Sequence, residues 1–210
     1  MKPETPQEYL LKTEHAVRHL YEGIASCWAY YQKALEHWDI SKINQPLTPE
    51  NKAELDRYLE LARKYFDLKF SEGVFAGSIL QIAAMGIRYF SRNVFIPESC
   101  REIVHSNNKA VIPFCIGKEL YGLPIGLIIY AARNQYNHWD DKSLKDISSQ
   151  VFSVLSYSFR ENIFADLAFS LSNPSITIFA YEVLLEALGW TTYDKYVSEM
   201  ETLLSEAKKN

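Results

Sequence analysis

No two cysteines in this chain share a C-x-x-C spacing, and the three present, Cys27, Cys100 and Cys115, are odd in number and far apart. Neither a disulfide framework nor a zinc knuckle is supported, and buried, reduced thiols are expected. Positive charge is not in excess either. The chain has 22 Lys and Arg against 26 Asp and Glu, a net charge of -4, so it lacks a global field that would draw in a polyanion. Any contact with nucleic acid must then be local. The longest apolar runs, Val74 to Ile87 and Leu120 to Ala132, fall short of the ~20 residues of a bilayer span, and the first is interrupted by Ser78 and Gln81. The opening residues, MKPETPQEYLLKTEH, put acids and prolines before any apolar run, the wrong order for a secretory signal. A cytoplasmic location without a membrane partner is expected. Phosphate-binding glycine loops are missing too: Gly117-Lys118-Glu119 lacks both the upstream glycine and the following Ser or Thr of a Walker loop. There is no Ser-His-Asp signature, repeat, low-complexity tract or flexible linker.

What the chain does have is helical periodicity in almost every segment. With 210 residues, nearly half of them apolar, it can bury a core without staples. Thr5-Pro6-Gln7-Glu8 joins a capping-box pattern to proline at the first helical position and opens a long helix reaching about Trp38. After the loop DISKINQPL, Thr48-Pro49 repeats the device. In the helix it opens, Leu55, Leu59, Ala62 and Phe66 form one stripe, widened by Tyr58, Leu61, Tyr65 and Leu68, and a face this wide is expected to be mostly buried. A third helix is predicted from near Ser71 to about Arg92, with Gly73, Gly77 and Gly86 as points of close approach. From Asn93 to Gly117 the pattern reads as a connector with one short helix near Pro97 to His105. Gly122 and Pro124 then lead into an apolar helix. Ser143 to Asp146 cap a further helix carrying Ile147, Val151, Val154, Leu155 and Ser158 on one face. Asn173-Pro174 starts another, closed by Gly189. The last helix begins at Thr191 or Thr192 and carries Tyr193, Tyr196, Val197, Met200, Leu203, Leu204 and Ala207 in one stripe. The fold expected is all-α: a single domain over 1-210, with an up-and-down bundle over about 6-169 and a C-terminal helical hairpin over about 173-208.

Several residue groups invite chemistry. His15 and His19, four apart, place two imidazoles on one helix face, but no third ligand is identifiable to complete a metal site. Glu102-Ile103-Val104-His105 matches the Glu-x-x-His element of di-iron bundles, which need a second copy that this chain lacks. Trp28, Tyr31, Leu35 and Trp38 recur at spacings of three and four, as in a stacking platform for bases or, more simply, a core or subunit-interface stripe. No cofactor is expected.

The stretch RNQYNHWDD, residues 133 to 141, follows the apolar run GLPIGLIIYAA and gathers an arginine, three amides, a histidine and two carboxylates. Arg133 and His138, with four residues between them and Asn134 directly after the arginine, resemble the motif of HEPN domains (higher eukaryotes and prokaryotes nucleotide-binding). Those are small helical bundles in which Arg, four to six residues, then His lies near the end of a late helix. The resemblance covers that motif and the helices from about 50 to 160. It implies a homodimer that binds RNA and cleaves it without a metal, as a toxin or defence component with an antitoxin partner. Carried over, Arg133, Asn134 and His138 become the catalytic residues, and Arg133, Asn137 and Lys142 the RNA contacts. Where some HEPN toxins have a tyrosine that an antitoxin modifies, this chain has Asp140.

Residues five apart in a helix differ by about 140° around the axis, so Arg133 and His138 do not share a face, whereas Asn134 and His138 do. Asn134 is thus expected to orient the imidazole, while Arg133 grips a phosphate bidentately and His138 moves the proton. Asp140 and Asp141 bring negative charge that Arg133, Lys142 or a second subunit must offset. Two other readings stand beside this one. In the first, Asn137, His138 and the aspartates end a helix within a non-catalytic interaction module. In the second, the bundle binds a metal through His15 and His19.

Overall fold

The computed structural model describes residues 3–37, 46, 48–138, 146–158, 169–170 and 179–206. Among them are six α-helices: α1 Pro6–His37, α2 Pro49–Phe90, α3 Ile125–Asn137, α4 Asp146–Ser158, α5 Phe179–Glu182 and α6 Tyr193–Glu206. The chain is an all-α helical bundle. Its only described strands are β1, Glu119–Leu120, and β2, Leu123–Pro124.

The helix starts form as the local chemistry dictates. The Glu8 amide donates to the Thr5 hydroxyl at 3.1 Å, and the Glu8 carboxylate accepts from the Glu4 amide at 2.7 Å. At α2 the box is fully reciprocal, with Asn51 serving as its third residue: Thr48 N–H donates to Asn51 Oδ1 at 2.6 Å, and Asn51 N–H to Thr48 Oγ1 at 3.3 Å. Both devices satisfy amides that the first turn leaves without helical partners.

Two helices were expected over 48 to 92, yet α2 runs unbroken for 42 residues, roughly 60 Å. The expected start at Ser71 fails because no proline interrupts residues 68 to 72 and the chain has stronger uses for them there. Lys69 reaches Glu72 one turn on, and Ala76, Ile79 and Leu80 already face the core. Gly73 and Gly77 cost about 1 kcal/mol each in a helix interior, and burial outweighs that. Gly77 shows what the small residue gains. A Cβ there would stand 2.2 Å from the Tyr136 ring, so only glycine lets α3 lie this close. An 18-residue window of α2 is long and apolar enough to cross a membrane, but 56% of that window is buried inside the protein, as in a core helix.

α1 and α2 form an antiparallel hairpin, with Gly23 against Phe75 and Tyr31 against Tyr65. Its inner half joins the main core, where Ile79, Leu80 and Ile87 of α2 are buried with Leu127 and Ile128 of α3, Phe152 of α4 and Met200 and Leu204 of α6. Its outer half has only a small core of Ala34, Leu61 and Ala62. The wide face expected to be buried is therefore split: Leu61 and Tyr65 are covered, while Leu59 and Phe66 are exposed. α6 buries the expected Tyr196, Met200, Leu203 and Leu204. Trp38, Ala207, the cap at 143 to 145 and the start at Asn173-Pro174 lie outside the described residues.

The connector after α2 contains two short 3-10 helices, Glu98–Cys100, within the stretch near Pro97 to His105 where one short helix was expected, and Ile112–Phe114. Buried Asn93 organises it, its side-chain amide donating to the carbonyls of Phe95, Ile112 and Cys115. A tight hairpin follows, in which Leu120 pairs with Leu123. Its two turn residues, Tyr121 and Gly122, take φ of 54° and 75°, the left-handed pair such a turn requires. This hairpin was not anticipated, because a two-residue strand carries no periodicity. It delivers α3 into a fixed seat. Ile125 N–H bonds Lys118 O, Gly126 N–H bonds Ile116 O, and a Cβ on Gly126 would strike Phe114 O at 2.4 Å.

Candidate functional site

With its start clamped, α3 projects its last turn over the C-terminal half of α2, at Gly77 and Gln81. The helix ends at Asn137 and His138 is its C-cap, donating its amide to the carbonyls of Asn134 at 3.0 Å and Gln135 at 3.2 Å. The side chains turn across the helix pair. Arg133 donates from Nε to Gln81 Oε1 of α2 at 2.8 Å and from Nη1 to Asn134 Oδ1 at 2.8 Å. Exposed Asn137 donates to the same Gln81 oxygen at 3.1 Å. One carbonyl oxygen from α2 thus holds two residues of the stretch. Asn134, expected to orient the imidazole, gives its side-chain oxygen to Arg133, and its backbone carbonyl accepts the His138 amide.

Arg133, Asn134 and His138 line one cleft of about 430 Å³ between α2, α3 and the connector. Gln81, Met85, Arg88 and Tyr89 supply the α2 side, while Phe114 and Tyr130 form an aromatic wall with ring centroids 5.1 Å apart. Arg88 is tethered to the connector, its Nη1 donating to Ala110 O at 2.9 Å. No Asp or Glu is among the described residues lining this cleft. Neither Arg88 nor Arg133 pairs with a carboxylate among the described residues. In a chain of net charge -4, two such guanidiniums in one recess make it locally cationic. Asp140, Asp141 and Lys142 lie outside the described residues.

Sequence reasoning found the α3 half of the cleft and missed the α2 half. Gln81 was visible only as a polar interruption of an apolar run. Arg88 carried no signal at all, because its proximity to Arg133 is created by helix packing.

A second polar cluster lies further toward the start of α2. Glu72 is 0% exposed and accepts from Lys69 Nζ at 2.9 Å, while its other oxygen has no hydrogen-bond partner among the described residues. Burial pushes the Glu72 carboxyl above its ordinary range despite the pull of Lys69. Lys69 is itself desolvated, but hydrogen bonds to Tyr65 and Glu72 together move it above its own ordinary value. The ammonium also sits 4.3 Å from the Tyr181 ring centroid, and Trp28 donates to the Tyr181 hydroxyl. Trp28 and Tyr31 therefore serve packing, with Tyr65 among their ring neighbours.

His15 and His19 do face each other, Nε2 to Nε2 at 3.1 Å, and His19 Nδ1 lies 2.6 Å from Glu22 Oε2. Among the described residues, however, no group of three His, Cys, Asp or Glu is placed to hold a metal ion. Glu102 and His105 lie in the connector outside its short helices, where the periodicity of a Glu-x-x-His ligand pair does not apply. The three cysteines are free and buried, with the Cys100 thiol donating to Pro97 O at 3.6 Å and the Cys115 thiol to Val111 O at 4.0 Å.

Fold and cleft together define an all-α bundle with a cationic recess at the end of its third helix. No protein-family model, curated protein or solved structure matches this chain.

Proposed function

We propose that this chain is a HEPN-like RNA-binding protein that cleaves RNA without a metal, acting as a cytoplasmic homodimer in a toxin–antitoxin or defence system. The observation that supports it is the gathering of Arg133, Asn134 and His138 around one cleft that has cations and no described carboxylate. In this reading Gln81 and Asn134 hold the Arg133 guanidinium so that it meets a phosphate with a fixed orientation. His138, exposed at the helix end, takes the proton of a ribose 2′-hydroxyl. The freed oxygen attacks the adjacent phosphorus, the bond to the 5′-oxygen breaks, and that oxygen takes a proton from the imidazolium of a second copy. The products are a 2′,3′-cyclic phosphate and a 5′-hydroxyl end. Asn137 and Lys142 extend the RNA contact, and an antitoxin protein would restrain the activity.

Arg133→Ala and His138→Ala are each expected to abolish RNA cleavage while leaving the circular dichroism spectrum and melting temperature unchanged. Wild-type cutting by both variants would remove the assignment. Phosphate recognition also predicts a steep loss of binding between low and moderate salt.

One observation favours a second reading, a non-catalytic interaction module. Phe66 and Phe70 on the outer half of α2 are 67% and 61% exposed, one helical turn apart and close to exposed Leu59. Under that reading the protein cuts no RNA, and Phe66→Ser with Phe70→Ser changes its association state in sedimentation.

A further inference from the structure

Resting on that proposed function, we infer that Arg88 is a second phosphate-binding residue and that the cleft engages two neighbouring phosphodiesters rather than one. Gln81 and Arg88 lie seven residues apart on α2, nearly two full turns, so they share a face and their Cα atoms are about 10 Å apart. Gln81 holds Arg133, and the Ala110 carbonyl holds Arg88. The two guanidiniums that line the cleft are therefore tethered to different segments, Arg133 to α2 and Arg88 to the connector. The same cleft is lined by Tyr130 and Phe114, with Met85 and Tyr89, a wall apolar enough to lie against the sugar and base that separate two phosphates. While both tethers hold, each cation takes its own phosphate. The occupant that uses both is an oligonucleotide with at least two linkages, one at Arg133 and His138 and its neighbour at Arg88.

The experiment compares fluorescent, uncleavable 2′-deoxy oligomers with one and with two phosphodiester linkages, binding to wild type and to Arg88→Ala. Wild type is expected to bind the two-linkage oligomer about tenfold more tightly, the worth of one charged hydrogen-bonded contact. Arg88→Ala should lose that gain, bind the one-linkage oligomer as wild type does, and lower the salt slope for longer single strands by about 0.7. The inference is overturned if wild type fails to discriminate the two oligomers, or if Arg88→Ala discriminates them as wild type does. Because these probes cannot be cut, that outcome is separate from the cleavage assay on Arg133→Ala and His138→Ala, which judges the nuclease reading by itself.

Discussion

α2 carries two polar clusters built on opposite principles. At Lys69 and Glu72 a cation is matched by a carboxylate, covered by Tyr181 and sealed from water on the acid side. At Gln81, Arg88 and Arg133 the cations are matched, among the described residues, by neutral oxygens and face an open recess. A cluster that answers its own charge serves the fold. One that leaves its charge unanswered among the described residues is available to a ligand. The neutral partners at the second cluster still matter, because they orient the guanidiniums without neutralising them.

Breaking each cluster should therefore produce different losses. If the proposed function holds, the largest effect is expected at His138, where removing the general base or acid it assigns lowers cleavage by about 10²- to 10⁴-fold with no change in stability. Lys69→Met should do the reverse. It strands a buried carboxylate and is expected to destabilise the protein by about 3 kcal/mol at pH 7 while leaving the cleft intact. Chemical denaturation checks this, and the loss should shrink on acidification as Glu72 takes up a proton. In wild type the Glu72 carboxyl titrates above the ordinary range, so as pH rises the unfolded chain ionises first. Stability then falls from the usual carboxylate range upward until Glu72 ionises in place. Glu72→Gln should remove that slope, and with it the requirement for Lys69.

Gly77→Ala tests the packing that makes the cleft. The new methyl meets the Tyr136 ring, which must move or push α3 off α2. A destabilisation of about 2 kcal/mol is expected, together with weaker RNA binding, because Arg133 and Gln81 sit on the two surfaces being separated. A loss of stability with unchanged binding would show that the ring yields and the helix does not.

The same contrast explains what was legible in the sequence. Helix starts at Thr5-Pro6 and Thr48-Pro49 and the stripe of α6 are local patterns, and local patterns state themselves. The continuity of α2 was not legible, because Ser71 and Gly73 look like punctuation until one knows that Glu72 and Ala76 are buried. The hairpin at 119 to 124 is too short to have a period. Arg133 and His138 could be singled out because their spacing is itself a pattern. Gln81 and Arg88 could not, since a partner 52 residues away is set only by how α3 crosses α2.

The smallest effect, and the finest distinction, belongs to Gln81→Leu. The substitution keeps the volume near that of glutamine and removes the oxygen shared by Arg133 and Asn137. If that oxygen is only a structural bond, its loss leaves a half-buried guanidinium short of one acceptor, and stability falls by about 1 kcal/mol with KM and kcat unchanged. If it aims the arginine, stability changes little, because the guanidinium can turn to water in the open cleft, but a freely rotating Arg133 meets phosphate less well. KM for RNA should then rise about fivefold with the pH profile unmoved, since His138 is untouched. Gln81→Glu sharpens the choice. It restores the acceptor but adds the carboxylate that the cleft otherwise lacks, so it should hold Arg133 more firmly and bind RNA worse than Gln81→Leu does. Orientation without neutralisation is the property only glutamine supplies at this position.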